Sequence, residues 1–309
     1  AGRYHAAVRA PRRERAAGLM GGPAELVAPE VVSGRFETGM SEDEYFSRPE
    51  LSASGMKDLL RSPKYFRMQR SVHRAKKEFD EGHAIHSLVL GVGAPIKEIP
   101  DSLLSGEYRS VSSAEAKKFK ADAEAEGFTV LKPQQFARIQ RAAESVLGNV
   151  KARRLLDAAP FREVSLFAAD PDSGVGLRGR VDALGDLLLD VKSAADIQGR
   201  AIDRAVLDRG YYLSAAVYRH LLTLILGEDP GPMHLIFVEK EAPFEVAVRV
   251  LDDPAWQEYG LQQMRKAIDL FASFNEFGVW PGADDEDGPI RPIEFPAWLR
   301  VAPTEVEGF

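Results

Sequence analysis

The chain has 309 residues, of which 45% are hydrophobic and 28% are charged, and its formal net charge is −7. This size and composition suit one large or two ordinary globular domains, and no apolar stretch approaches the roughly 20 residues of a membrane span. The absence of cysteine excludes disulfides, thiolate zinc sites and cysteine-ligated iron–sulfur clusters, and it is compatible with a reducing cytoplasm. The acidic balance disfavours, without excluding, a protein that binds DNA.

Residues 1–40 are rich in Ala, Gly, Arg and Pro, which predicts a flexible N-terminal extension. Arginines cluster in its first part, and no apolar segment of a secretory signal follows. The alternative is a basic arm that contacts the DNA backbone. Residues 41–309 are predicted to form a single folded domain.

The first half of that domain has helical patterns. Ser52 or Ser54 is a suitable N-cap for an apolar-periodic helix, and Ser62-Pro63 ends that helix and begins a second. Residues 79–91 predict a buried helix that carries His83 and His86 one turn apart. A histidine in such a helix is more often a core residue than a ligand. Further helices are predicted over 112–126 and 133–147, with a short strand or extended link at 128–131 between them.

The second half alternates strands with helices. Strands are predicted over 163–169, 175–183 and 187–192, helices over 200–209 and 211–226, a hairpin over 233–240 and 244–251, and a long helix over 254–274. This order predicts an α/β or α+β fold with a mixed central sheet that helices flank.

The strand at 187–192 carries charge where an apolar run ends. Its alternation places Asp190 and Lys192 on one face, and Leu189 and Val191 on the other. Two carboxylates, with Asp182 as the second, can hold a divalent metal, and a lysine nearby can orient a water or stabilise charge during phosphodiester hydrolysis. The alternative is a surface hairpin whose outer face is charged.

The metal hypothesis places a constraint on strand register, because facing residues of an antiparallel pair share a face. A two-residue turn at Gly185-Asp186 would pair Asp182 with Leu189 and direct it away from Asp190. An odd connection, such as 185–187 with a bulge, brings the two aspartates to one face. The hypothesis therefore predicts an odd connection.

Several short motifs occur in order over about residues 45–300. They are Leu51-Ser52-x-Ser54 with Ser62-Pro63, the Gly82-His83-Ala84-Ile85-His86 helix, Arg180-Val181-Asp182, Asp190-Val191-Lys192-Ser193, Tyr211-x-x-x-Ala215-Ala216-x-Tyr218, and Trp280-Pro281-Gly282 with Pro296-Ala297-Trp298. On these residues the chain resembles the RecE/exonuclease VIII branch of the PD-(D/E)XK nucleases, whose relatives include lambda exonuclease and the nuclease domain of RecB.

This resemblance implies a restriction-endonuclease-like core and a hydrolase that uses Mg²⁺, or Mn²⁺ in its place. The implied substrate is linear double-stranded DNA, digested 5′-to-3′ to leave 3′ single-stranded tails for recombination. The implied partners are further copies of the chain in a ring and a single-strand annealing protein, in the cytoplasm of a bacterial or phage-infected cell.

Residue roles also follow from the resemblance, by position. His86, Asp182, Asp190 and the Val191 carbonyl match metal ligands, and Lys192 matches the catalytic lysine beside the two aspartates. The outer-shell or phosphate-binding candidates are Glu163, Arg178, Arg180, Ser193, Ser214 and Tyr218. The family often has a glutamine where this chain has Ser214, which is too short to reach as a glutamine does.

Two alternatives remain open. One is a catalytically weak or inactive DNA-binding or scaffold module, which the Ser214 departure and the acidic balance favour. The other is a restriction-type endonuclease of the same superfamily. For a DNA-binding protein of this charge, segregated surface charge is expected. Arg61, Lys64, Arg67 and Arg70 would join Arg178 and Arg180 in a groove that leads to Asp190, with the acidic loop 284–287 well away.

Overall fold

A mixed β-sheet lies at the centre of the chain in the computed structural model, which describes residues 34–71, 81–106, 109–284 and 292–293. The strands are β1 (Gly34–Glu37), β2 (Leu51–Ser52), β3 (Ile96–Glu98), β4 (Thr129–Leu131), β5 (Phe161–Ala169), β6 (Gly176–Leu184), β7 (Leu188–Ala194), β8 (Met233–Glu239) and β9 (Val246–Leu251). The helices are α1 (Glu42–Ser47), α2 (Ala53–Arg61), α3 (Pro63–Ser71), α4 (Glu81–Leu90), α5 (Ala114–Ala125), α6 (Pro133–Gly148), α7 (Val150–Ala158), α8 (Ala201–Arg209), α9 (Tyr211–Leu226) and α10 (Pro254–Phe277), with a 3₁₀ turn at Asp101–Leu103.

Within the described residues this sheet has seven strands. Six of them follow the order β1-β5-β6-β7-β8-β9, and β2 adds to β6. The β2–β6 and β7–β8 pairs are parallel, whereas the others are antiparallel. Strands β3 and β4 form a separate parallel pair. The prediction of a mixed central sheet flanked by helices is confirmed.

Two apolar layers cover the two faces of the sheet. Helices α2, α9 and α10 pack on one face, where Leu188 of β7 is buried. Helices α4, α6 and α7 pack on the other, where Leu189 and Val191 are buried. Strand β7 therefore alternates between two cores, as a central strand buried on both faces does.

The start of the fold differs from the expectation. Strand β1 pairs with β5 from Gly34↔Ala168 to Glu37↔Ser165, so residues 34–37 belong to the sheet, although the sequence places them in the extension. Residues 1–33 lie outside the described part of the chain. Among the described helices, none combines the length and the apolar character that crossing a bilayer requires.

Local signals explain the front helices. The Ser52 hydroxyl accepts a hydrogen bond from the Gly55 amide, so Ser52 is the N-cap of α2. Pro63 occupies the first turn of α3, where a missing amide hydrogen has little consequence. Both boundaries are as predicted from the sequence.

Gly179 allows helix α9 to approach the sheet closely. A Cβ at this position would lie 2.8 Å from Cδ1 of the Tyr218 ring. Gly179→Ala is therefore expected to lower the free energy of unfolding by about 1–3 kcal/mol, because the partly buried Tyr218 ring has to shift. Gly148→Ala is the matched control, since a Cβ there meets nothing within 4 Å. Equal melting temperatures for the two variants would contradict this account.

Candidate active site

The candidate site lies at a fork in the sheet. Strand β5 pairs along one edge of β6, so β2 and β7 share the other edge. Strand β2 pairs at 177–178 and β7 pairs at 183–184, and the pairing with β7 stops at Ala183↔Leu189. Between these two positions β6 has no strand partner on this edge, so side chains can occupy the gap.

Asp182 lies within this gap. Its Oδ2 accepts a hydrogen bond from the Val191 amide at 2.7 Å, so a side chain replaces the backbone partner that a continuous ladder would supply. The connection between β6 and β7 consists of three residues, 185–187, and the register places Asp182 opposite Asp190. The predicted odd connection is confirmed, and the two carboxylates share a face.

His86 reaches the same place from helix α4. Its Nε2 lies 2.8 Å from Oδ2 of Asp182, and its Nδ1 lies 3.9 Å from Oε1 of Glu163. Burial acts to lower the pKa of His86, but the charge of Asp182 and the hydrogen bond to it raise the pKa above its ordinary value. The helix pattern alone favoured a core role for His86. In the structure, its ring instead contacts the carboxylate of Asp182.

Glu163 belongs to β5, in a backbone conformation that is unusual for a strand. Its φ is +47°, and it lies between the pairs Arg162↔Ala183 and Val164↔Val181. A residue other than glycine stores strain in this left-handed region, and such strain occurs often at functional sites. The kink lies opposite Asp182, where it brings the Glu163 carboxylate towards His86.

Asp190 and Lys192 form the other half of the site. Lys192 Nζ lies 2.7 Å from Oδ2 of Asp190, and Asp190 is 1% exposed. Burial and the charge of Asp182 raise the pKa of Asp190 well above its ordinary value. Burial acts in the same direction on Asp182, but the charges of His86 and Lys192 hold the pKa of Asp182 well below its usual range. The two carboxylates therefore have opposite proton affinities.

A divalent cation fits this donor set by chemistry. Two carboxylates, an imidazole and the Val191 carbonyl are ligands that Mg²⁺ or Mn²⁺ accepts. The buried Oδ2 of Asp190 accepts no hydrogen bond of good geometry, although Lys192 is close to it. Ligand atoms that are neighbours around an octahedral Mg²⁺ are about 3 Å apart, close to the separation of His86 Nε2 and Asp182 Oδ2.

The same donors are held together by ion pairs in the structure. Among the described residues, no group of three histidine, aspartate or glutamate side chains already has the arrangement of a metal-ligand set. His86 and Lys192 supply the positive charge that neutralises the two aspartates. A cation would therefore bind with loss of the proton of His86 and a small rearrangement of these side chains.

Aromatic residues of helix α9 close the site on one side. Lys192 Nζ lies 5.2 Å from the centre of the Tyr211 ring. Burial, followed by the charge of Asp190, raises the pKa of Tyr218 well above its ordinary value, and a hydrogen bond with Ser214 acts in the opposite direction. Ser193 follows Lys192 in β7 and by alternation faces away from it. Tyr211 opens the Tyr211-x-x-x-Ala215-Ala216-x-Tyr218 motif, but the resemblance assigned a possible site role to Tyr218 and none to Tyr211.

Arg178 and Arg180 hold the segment around α1 against β6. Arg178 donates to the Tyr45 carbonyl, and Arg180 donates to the Met40 carbonyl at 2.8 Å and to the Ser165 hydroxyl at 3.1 Å. Their guanidinium groups lie 4.7 and 4.5 Å from the centre of the Tyr45 ring. These contacts favour the structural role over the phosphate clamp considered from the sequence.

The predicted basic groove is also altered. Arg70 donates to the Pro49 carbonyl and lies over the rings of Phe66 and Phe271, so it is engaged with the protein. Arg61, Lys64 and Arg67 are exposed. Of the acidic loop, only Asp284 lies within the described residues.

Comparison with known proteins supports this architecture. Residues 52–286 match a family described as a "PDDEXK-like domain of unknown function". A crystal structure described as "Putative exonuclease", from Eubacterium rectale, superposes with a TM-score of 0.54 and 13% sequence identity, over 84% of this chain and 97% of that one. At this identity the likeness shows the fold alone.

Two further comparisons add little. The crystal structure of SSO0001 aligns with a TM-score of 0.27 and 12% identity, over 61% of this chain and 85% of that one, which is too distant to support an argument. A search of curated proteins found no match. The matches do not distinguish the RecE branch from the rest of the PD-(D/E)XK superfamily. Because the matched region is most of the sequence and contains His86, Asp182, Asp190 and Lys192, the chain belongs to the family of PDDEXK-like domains.

Proposed function

We propose that this protein is a divalent-metal-dependent deoxyribonuclease that hydrolyses phosphodiester bonds of linear double-stranded DNA. The observation that carries the proposal is the convergence of four side chains at one fork of the sheet. Asp182 and Asp190 share a face, His86 contacts the first and Lys192 contacts the second. Membership of the PDDEXK-like family supports the same function.

Each of these residues has a chemical task. Asp182, Asp190, His86 and the Val191 carbonyl would hold a Mg²⁺ or Mn²⁺ ion, which when bound lowers the pKa of a water and polarises the phosphoryl oxygen. Lys192 places a positive charge beside Asp190, where it orients the nucleophilic water or stabilises negative charge on the phosphate. Glu163 would act as an outer acidic group, since its carboxylate lies 3.9 Å from the ring nitrogen of His86 that faces away from Asp182.

The finer proposal is exonuclease action in the 5′-to-3′ direction. It would leave 3′ single-stranded tails for recombination, by a ring of identical subunits that acts with a single-strand annealing protein. This part rests on the motif resemblance to the RecE/exonuclease VIII branch. An endonuclease of the restriction type and an inactive scaffold are the alternatives, and the ion pairs that neutralise the site favour the second of these.

Digestion of end-labelled DNA tests the proposal. With Mg²⁺ or Mn²⁺, linear duplex is expected to be degraded and the 5′ label released first, whereas closed circular duplex remains intact. An excess of chelator is expected to stop the reaction, and restored metal to restart it. A release of the 3′ label first would reverse the proposed polarity.

The remaining outcomes separate the alternatives. Cleavage of the closed circle would identify an endonuclease. Binding without cleavage, at several metal concentrations, would identify a scaffold. Cleavage that continues in chelator would exclude the proposed chemistry.

A further inference from the structure

We propose that the four cations Lys57, Arg61, Lys64 and Arg67, here named the basic track, bind the sugar–phosphate backbone of the DNA beside the candidate active site. This inference rests on the proposed function, since it assigns the surface by which the same site receives its substrate. The track lies on α2 and α3, and none of its residues is among those that would hold the metal.

The first argument is charge. Helices α2 and α3 contain a single acidic residue, the half-buried Asp58, in a chain whose formal net charge is −7. Within the part of the chain that the structure describes, Arg61, Lys64 and Arg67 form no salt bridge, and all three are exposed. Unneutralised cations collected on one surface of an acidic protein indicate an anionic partner.

The second argument is position. Lys192 lies against the Tyr211 ring, and Tyr211 follows Arg209 and Gly210 at the junction of α8 and α9. Lys57 Nζ donates to the Arg209 carbonyl at 3.3 Å, so the start of the track contacts this junction. The track therefore begins beside the aromatic ring that covers the catalytic lysine.

From Lys57 the track continues along the two helices. Arg61 follows one turn later, about 6 Å along the α2 axis and on the same face. Lys64 and Arg67 are three residues apart on α3, whose first turn is fixed by the hydrogen bond from the Lys64 amide to the Pro281 carbonyl at 3.1 Å. The cations are thus held in pairs on two consecutive helices, and the Arg61 guanidinium of α2 contacts α3 at Tyr65.

The third argument is the way in which the arginines are held. The Arg61 guanidinium lies 4.4 Å from the centre of the Tyr65 ring, and that of Arg67 lies 5.6 Å from a ring of Trp280. Contact with an aromatic face orders a guanidinium group without using its N–H donors. These donors remain available for phosphate oxygens, which arginine binds through two parallel hydrogen bonds.

DNA binding in the presence of chelator, where cleavage is stopped, tests the track directly. The variant is Arg61→Gln/Lys64→Gln/Arg67→Gln in the full chain, and the probe is a fluorescent linear duplex at several salt concentrations. Its affinity is expected to fall at least tenfold at about 0.1 M salt. The log–log salt slope is expected to become shallower by about 0.9 for each phosphate that the variant no longer neutralises.

The matched control is Lys117→Gln/Lys118→Gln/Lys120→Gln on α5, whose exposed lysines give the same change in net charge. The control is expected to bind like the unchanged chain. Equal losses in both triple variants would overturn the proposal, because net charge alone would then account for binding. Unchanged affinity in the track variant, with a melting temperature that shows it is folded, would overturn it as well.

Cleavage with Mg²⁺ separates this proposal from the proposed function. The track variant is expected to have a raised KM and an unchanged kcat, because the catalytic groups are intact. If the unchanged chain cleaves DNA and the variant has the same KM, the basic track is rejected as a DNA-binding surface and the proposed nuclease function stands. If the variant loses DNA binding and the unchanged chain does not cleave DNA, the basic track is supported as a DNA-binding surface and the proposed nuclease function is rejected.

Discussion

Lys192→Met is expected to reduce the rate of phosphodiester cleavage by about a thousandfold, because it removes the positive charge beside Asp190 that would stabilise the reacting phosphate. DNA binding is expected to remain, since the basic track is unchanged. The cleavage rate is measured by single-turnover digestion of linear duplex with Mg²⁺. Lys118→Met on the exposed face of α5 is the control and is expected to cleave normally.

The same substitution has a consequence for stability. Without the ammonium group, the buried Asp190 carboxylate has no adjacent cation, and removal of one partner of a buried ion pair costs about 3 kcal/mol. In chelator, the drop in melting temperature relative to the unchanged chain is expected to be large at about pH 8 and smaller at about pH 5, where Asp190 binds a proton. Wild-type turnover by Lys192→Met would contradict its proposed role.

Asp190→Asn is expected to abolish cleavage to a similar degree and yet to stabilise the fold in chelator, because the charge of Asp182 also acts on Lys192 and the ammonium group is not left without an opposite charge. The pKa of Asp190 is raised in the folded chain by burial and by Asp182, so the folded state binds this proton more tightly than the unfolded chain does. That preference contributes stability below the unfolded pKa of about 4, and it is lost as the pH rises through the folded pKa. Asparagine does not ionise, so the variant does not lose this stability as the pH rises.

The expected pattern is a higher melting temperature for Asp190→Asn at alkaline pH, with the difference shrinking towards about pH 4. Mg²⁺ is expected to raise the melting temperature of the unchanged chain more than that of the variant, because the variant is short of one ligand. Asp196→Asn, an exposed position, is the control. A lower melting temperature for Asp190→Asn at about pH 8 in chelator would contradict the account.

The central part of the fold and of the site was predictable because it depends on local pattern. The alternation of β7 placed Asp190 and Lys192 together, and the odd connection at 185–187 was derived from the requirement that Asp182 share their face. The position of His86 came from the resemblance, because a helix pattern does not reveal which distant strand a histidine will meet. The roles of these residues in catalysis stay predictions.

The remaining features depend on tertiary contacts. Strands β1, β2 and β3 have two to four residues each, too few for a period-two pattern to stand out. Helix α7 follows α6 after Asn149, whose side chain caps the amides of Lys151 and Ala152, and no helix is predicted there from the sequence. The left-handed backbone of Glu163 has no sequence signal either, since glycine or asparagine is the usual residue for it.

The contacts of Arg178 and Arg180 with Tyr45 bear on how the chain can be shortened. The family match begins at Ser52, whereas β1 and α1 precede it and pack on β5 and β6. A fragment that starts at residue 52 would leave the edge of β5 unpaired, uncover Phe167 and remove the carbonyl acceptors of both arginines. An open, apolar strand edge promotes pairing between molecules. Such a fragment is expected to aggregate. A shortened chain therefore has to keep Gly34 and the residues after it, so that β1 still covers the edge of β5.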